Sequence, residues 1–234
     1  MKTLTWSAAI LALGAAIPST SLAKGMQDQV DQAAAVIERF KAMPEKGIPE
    51  AVLRNAKGLA IVTVLKGAFG FSGEGGWGVV VARTDHGWSA PSAIATGGAG
   101  FGPQVGAEVT EFVIVLNTPA AVNAFAHGAN VKLGGDLSVA AGPVGRFIAA
   151  DVLPVAAVYT YSRSQGLFAG ASLEGTVIAA RNGANRKYYS RTVTPQAILS
   201  GQVKAPRGAD KLRQALESHW HAPRTNRSPE SVRG

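Results

Sequence analysis

The chain contains no cysteine. That absence excludes disulfides, thiolate nucleophiles, cysteine-bound zinc and a lipid-modified N-terminal cysteine. Histidine is scarce, with 4 in 234 residues, and charged residues make up only 16%. His86 sits in a turn, His127 at a helix end, and His219 and His221 flank Trp220. None has an Asp and a Ser spaced to suggest a triad. A nucleophile elbow is also missing, since Gly170-Ala171-Ser172-Leu173-Glu174-Gly175 is one residue too long. The glycines from Gly97 to Gly106 do not form a dinucleotide fingerprint, and a strand follows them where a phosphate site needs a helix N-terminus. Their loop amides remain candidates for holding a lipid phosphate. Glu108 and Glu111 are three apart, so a strand sends them to opposite faces and away from a shared metal. Asp136, after Gly134-Gly135, is placed to fix a turn. These absences leave no recognisable catalytic machinery, and no metal or cofactor is expected.

What is present is an apolar chain, 47% hydrophobic, which can bury a real core. Glycine, at 28 residues, is about twice its average usage of 7%. Many glycines adjoin short apolar runs, a pattern of strands with tight turns and close backbone approaches. The formal charge is +8. After Val203, seven cations face three carboxylates, so much of the excess lies in a basic C-terminal segment. A positive field favours anionic partners such as a phospholipid surface or an acidic protein, and it also serves plain solubility.

Met1 to Ala23 reads as a signal peptide: Lys2, then an apolar stretch from Ala8 to Ile17, then Ser21-Leu22-Ala23 before Lys24. The apolar run is short of the roughly 20 residues a bilayer span needs, although an uncleaved anchor is the alternative. The expectation is an exported protein, periplasmic or secreted after cleavage near Ala23. The remainder divides into a domain over 24–203 and a basic helix with a disordered tail over 204–234.

Val30, Ala33, Ala34, Ile37 and Phe40 recur at helical spacing and predict a helix over 27–43. Its polar face mixes both charge signs, which favours packing on its own domain over lying on a membrane. Pro49 is placed to start a short second helix. Strands are predicted over 58–65, 77–83, 88–95, 108–117, 131–141, 155–162 and within 167–180. Asp85-His86-Gly87 marks a hairpin turn. Thr118-Pro119 caps an inserted helix over 120–127, and helices close the chain over 194–200 and 209–220. Strands and helices do not alternate. The fold class is therefore α+β, with a mostly antiparallel, curved or barrel-like sheet, an inserted helix and flanking N- and C-terminal helices.

Four segments carry a family likeness: GWSAPSAI from Gly87, GGAGFGPQVGAEVTEFVIVLN from Gly97, VKLGGDLSVAAGPVGR from Val131 and TYSRSQGLFAGASLEGTVI from Thr160. In this order they resemble the SYLF domain, also called a yeast-type actin-binding domain, from about Val30 to about Val203. The resemblance implies a non-catalytic, lipid-binding module that recognises acidic phospholipid or phosphoinositide-like head groups. Eukaryotic relatives of that kind add a partner domain, and some bind actin. This chain looks like the bacterial, exported single-domain kind, which meets no actin in its own cell, so actin binding does not transfer. A cell-envelope protein partner is the alternative, and nucleic acid is not implied. The cations that would meet an anionic lipid are Lys66, Lys132, Arg146, Arg163, Arg186 and Lys187, with Phe69, Phe71, Trp77 and Phe168 as apolar anchors.

Overall fold

A computed structural model of the chain describes residues 25–43, 47–128, 130–143, 156–166 and 177–218; at 68–72, 99–105 and 166 only the backbone is described. Met1–Ala23, Arg146, Phe168, Glu174 and everything after Ser218 lie outside those residues, as do the side chains of Phe69 and Phe71.

Helix α1 (Met26–Lys41) opens where the amide of Gly25 donates to Asp28 Oδ2 at 3.1 Å. Its apolar stripe is fully covered, with Val30 and Ile37 at 0% exposure and Phe40 at 1%. The helix thus packs on its own domain, as its mixed charges suggest. Helix α2 (Glu50–Asn55) follows Pro49, whose fixed φ suits a helix start.

Strand β1 (Gly58–Thr84) then turns at Asp85-His86 into β2 (Gly87–Trp88) and, after Pro91, β3 (Ser92–Leu116). Gly87 takes φ 103°, a region closed to most side chains, and its carbonyl accepts from Thr84 Oγ1 at 2.9 Å. β1 and β3 pair antiparallel from Val80↔Ser92 out to Gly58↔Leu116, with one irregularity between Phe69 and Phe71. The glycine-rich stretch Gly97–Gly106 is therefore paired strand, where the sequence suggested a loop. Most of its residues pair with β1, so the stretch is strand and not the loop expected to cradle a phosphate.

β1 also doubles back on itself. The amide of Arg83 donates to Lys57 O at 2.8 Å. A methyl group at Gly76 would sit 2.8 Å from Thr63 O, and one at Gly58 would sit 2.9 Å from Val81 O. At Gly78 it would overlap the Ile61 carbonyl and lie 2.8 Å from Val62 Cα. The two halves of the strand lie against each other, and the sheet curls.

Around β3 the rest of the sheet assembles. After helix α3 (Pro119–Ala126), capped by Thr118 accepting from Ala121 N at 3.1 Å, come β4 (Val131–Lys132) and β5 (Val139–Ala141). The single strand expected over 131–141 is interrupted by a turn, in which Asp136 Oδ2 accepts from Lys132 N at 2.8 Å. β6 (Val158–Gly166) pairs with the Glu108–Leu116 half of β3, and β7 (Val177–Ala180) with Ile94–Gly97. β4 pairs with β7, and β5 lies parallel to β6. Among the described residues this is one seven-stranded, mostly antiparallel sheet in an α+β fold.

Alternating side chains feed two cores. Leu59, Ile61, Val79, Val81, Val113 and Val115 meet α1 and α2 on one face. Ala60, Val62, Val80, Phe112, Ile114 and Leu116 meet α3 on the other. Three further helices follow among the described residues: α4 (Asn182–Tyr189), α5 (Pro195–Leu199) and, after a 3-10 turn at Arg207–Ala209, α6 (Asp210–Glu217). Leu212 and Leu216 of α6 join the α1 core, so the packed domain continues past Val203. The sequence reading contains no α4. Asn182-Gly183 signals a turn, and no apolar stripe betrays the helix.

Candidate functional site

α4 is held from below by polar anchors. Asn185 is fully buried; its Oδ1 accepts from Ala93 N at 2.8 Å and its Nδ2 donates to Ser92 Oγ at 3.1 Å. Tyr189 donates its hydroxyl to Pro91 O at 2.6 Å and meets Tyr188 edge-on, ring centroids 5.2 Å apart. Ser190 ends the helix at φ 53°. With its inner face pinned to the start of β3, α4 turns Arg186 and Lys187 outward, and exposed Arg191 follows. Lys132 is exposed on β4, opposite Val177 of the strand that leads into α4. From Val177 to Ala209 the chain carries six cations (Arg181, Arg186, Lys187, Arg191, Lys204 and Arg207) and no carboxylate.

Tyr188 and Tyr189 report on this anchorage, and Tyr161 of β6, whose hydroxyl donates to Pro143 O, reports on the sheet. Burial, then Asp31 and Asp210, pushes Tyr188 up to about 12, and burial raises Tyr161 and Tyr189 as well. The unfolded value is about 10. The stabilisation is thus intact below that pH and is lost as pH climbs through about 12 and beyond. Urea unfolding should show the midpoint falling over that window, together with late tyrosine ionisation in the ultraviolet. Tyrosines that all ionise near pH 10 with the fold intact would contradict the packing.

Beside this surface lies a cleft of about 650 Å3. The hairpin tip, the chain from Leu199 to Ala205 and α6 form its walls. Arg83 lies 4.0 Å over the Trp88 ring and donates to Leu53 O at 3.2 Å, and burial lowers its pKa. Lys204 and Arg213 also line the cleft, as does Asp85. The stack of Arg83 on Trp88 borders a second, smaller cavity of about 250 Å3 toward α2.

The other cations named from sequence lie elsewhere. Arg163, on β6, bonds Glu111 at 3.4 Å, and Arg39 of α1 bonds the same carboxylate at 2.9 Å through Nε. Gln32 adds a third donor to Glu111 at 3.3 Å. Arg163 therefore helps to tie α1 to the sheet. Lys66 stands across from Glu108, whose buried Oε1 accepts from Thr110 Oγ1 at 2.9 Å. Glu108 and Glu111 do face opposite sides, as their spacing required. Arg186 and Lys187 are adjacent on α4, Lys132 sits on β4 opposite the first residue of β7, and Lys66 and Arg163 lie on β1 and β6. Arg181, Arg191, Lys204 and Arg207 were missed as site residues. The signal for them was the lack of any carboxylate between Glu174 and Asp210.

Among the described residues, no group of three His, Asp or Glu is placed to hold a metal. No helix among them is long and apolar enough to cross a membrane.

Comparison with known proteins gives a consistent result. A family model, Ysc84, described as a Las17-binding protein actin regulator, matches residues 97–219. An SH3 domain-containing protein of Schizosaccharomyces pombe is 53% identical over 176 residues, 73% of this chain and 41% of that protein. Protein YSC84 of Saccharomyces cerevisiae is 48% identical over 205 residues, covering 83% of this chain and 44% of the relative. The human SH3 domain-containing YSC84-like protein 1 is 44% identical over 201 residues, 82% and 59% of the two chains. This chain thus spans 41 to 59% of the length of these relatives. No solved structure matches it.

Proposed function

This chain belongs to the Ysc84 family of SYLF-domain proteins, and we propose that it is a non-catalytic module that binds acidic phospholipid at a membrane surface. The carboxylate-free stretch from Val177 to Ala209, with its exposed cations on and after α4, carries this reading. Each Lys or Arg near an anionic leaflet contributes about 1 kcal/mol, so exposed Arg186, Lys187 and Arg191 together favour an anionic surface. We place the protein outside the cytoplasm, after removal of Met1–Ala23. A second reading, favoured by the family description as Las17-binding, gives the same basic surface to an acidic protein partner.

Co-sedimentation with vesicles of graded phosphatidylserine content separates the two. Binding should grow with anionic content and fall with added salt as charges are screened. The double variant Arg186→Glu/Lys187→Glu should bind at least about tenfold more weakly. Binding that ignores lipid composition, or survives the double charge reversal, would move the function to a protein partner.

A further inference from the structure

The cleft between the hairpin tip, the Leu199–Ala205 segment and α6 differs in kind from the surface of α4. Its volume, about 650 Å3, falls within the range of about 300–1,000 Å3 typical of small-molecule sites. A bilayer cannot enter it, but one molecule can. Val81, Val203 and Leu212 give it an apolar wall, and Arg83, Lys204 and Arg213 bring three cations against the single carboxylate of Asp85.

The cations are differently held. Arg83 is fixed by the Trp88 ring and by Leu53 O. Among the described residues, Arg213 pairs with Asp210, one helical turn away at 3.0 Å, with both side chains about half exposed. Such a pair is worth little in water, so Arg213 is available to a stronger anion. Lys204 is exposed on a segment whose neighbour, Val203, is buried. A fixed guanidinium, two adjustable cations and an apolar wall in one concavity suit a ligand with a charged head and an apolar chain.

We infer that this cleft holds a single phosphate-headed amphiphile, its head among Arg83, Lys204 and Arg213 and its chain against Val81, Val203 and Leu212. The inference rests on the lipid reading and sharpens it: the protein takes up one lipid molecule in addition to docking on a surface. Lys204 lies at the junction, since it belongs both to the carboxylate-free stretch and to the cleft.

The test is calorimetric titration of the full chain with dihexanoyl phosphatidic acid, kept below the concentration at which it forms micelles. Saturable one-to-one binding is expected, weakened at least about tenfold in Lys204→Glu/Arg213→Glu. Dihexanoyl phosphatidylcholine and inorganic phosphate should each bind at least about tenfold more weakly than phosphatidic acid. No saturable binding by the unaltered chain would overturn the inference. So would equal binding of inorganic phosphate, which would leave the apolar wall without a role. Binding unaffected by the Lys204 and Arg213 reversals would place the ligand elsewhere and equally overturn it. Vesicle co-sedimentation that persists while monomeric lipid fails to bind sinks this inference alone. Monomeric binding that persists without co-sedimentation sinks the surface reading alone.

Discussion

Gly78→Ala should destabilise the domain by about 3 kcal/mol, the upper part of the range for overpacking a tight core. The added methyl would overlap the Ile61 carbonyl and crowd Val62 Cα at 2.8 Å. Those obstacles are backbone atoms of a buried strand, and they cannot rotate aside as a side chain would. Relief requires the two halves of β1 to separate, which disturbs both cores, since Ile61 and Val79 feed one and Val62 and Val80 the other. Gly73→Ala is the control. It lies on the same strand with nothing within 4 Å of the new methyl. That change should stay within about 0.5 kcal/mol of the unaltered chain. Denaturant unfolding of the two variants decides the matter. Equal midpoints would mean that the halves of β1 do not meet.

Asn185→Ala should cost about 2–4 kcal/mol, because it removes two hydrogen bonds and strands a buried donor. Asn185 is fully buried and is the acceptor for Ala93 N. Its loss leaves that amide without a partner, and Ser92 Oγ loses its donor. Thermal unfolding should show the drop, and hydrogen exchange should show faster exchange at Ala93 than at Val113, deep in the sheet. Vesicle binding should weaken as well, since α4 carries Arg186 and Lys187 and would lose an anchor. An alanine variant with unchanged stability and a still-protected Ala93 amide would remove Asn185 from this role.

Most of the frame could be read from the chain itself because its signals are local. Thr118-Pro119 announced α3, and Asp85-His86-Gly87 announced the hairpin. The spacing of Val30, Ile37 and Phe40 announced α1. Where reading failed, the deciding forces act between distant residues. Glycines such as those at 97–106 punctuate a sequence as turns do, yet two such segments facing each other form a ladder. Nothing within either segment reveals that pairing. α4 was invisible because its inner face is made of Asn185, Tyr188 and Tyr189 instead of an aliphatic stripe. Its hold on β3 comes from hydrogen bonds to Pro91, Ser92 and Ala93. Of the named cations, Arg186 and Lys187 lie outside the four family segments and were named on basic character alone. Arg163 could not be sorted from them, because its partner Glu111 is far away in sequence. The cleft had no sequence signal, since its walls come from three separate segments.

The doubling of β1 also bears on how this protein avoids joining others of its kind. A long strand at the rim of a sheet offers unpaired amides and carbonyls to any passing chain and invites aggregation. β1 has 27 residues and would be a severe hazard if flat. Instead its second half lies against its first. Among the described residues, the terminal strands are β2 and β4, with 2 residues each, and β5, with 3. Rims that short give an incoming strand little to hold, so the curl that packs the core also keeps the sheet closed to foreign chains.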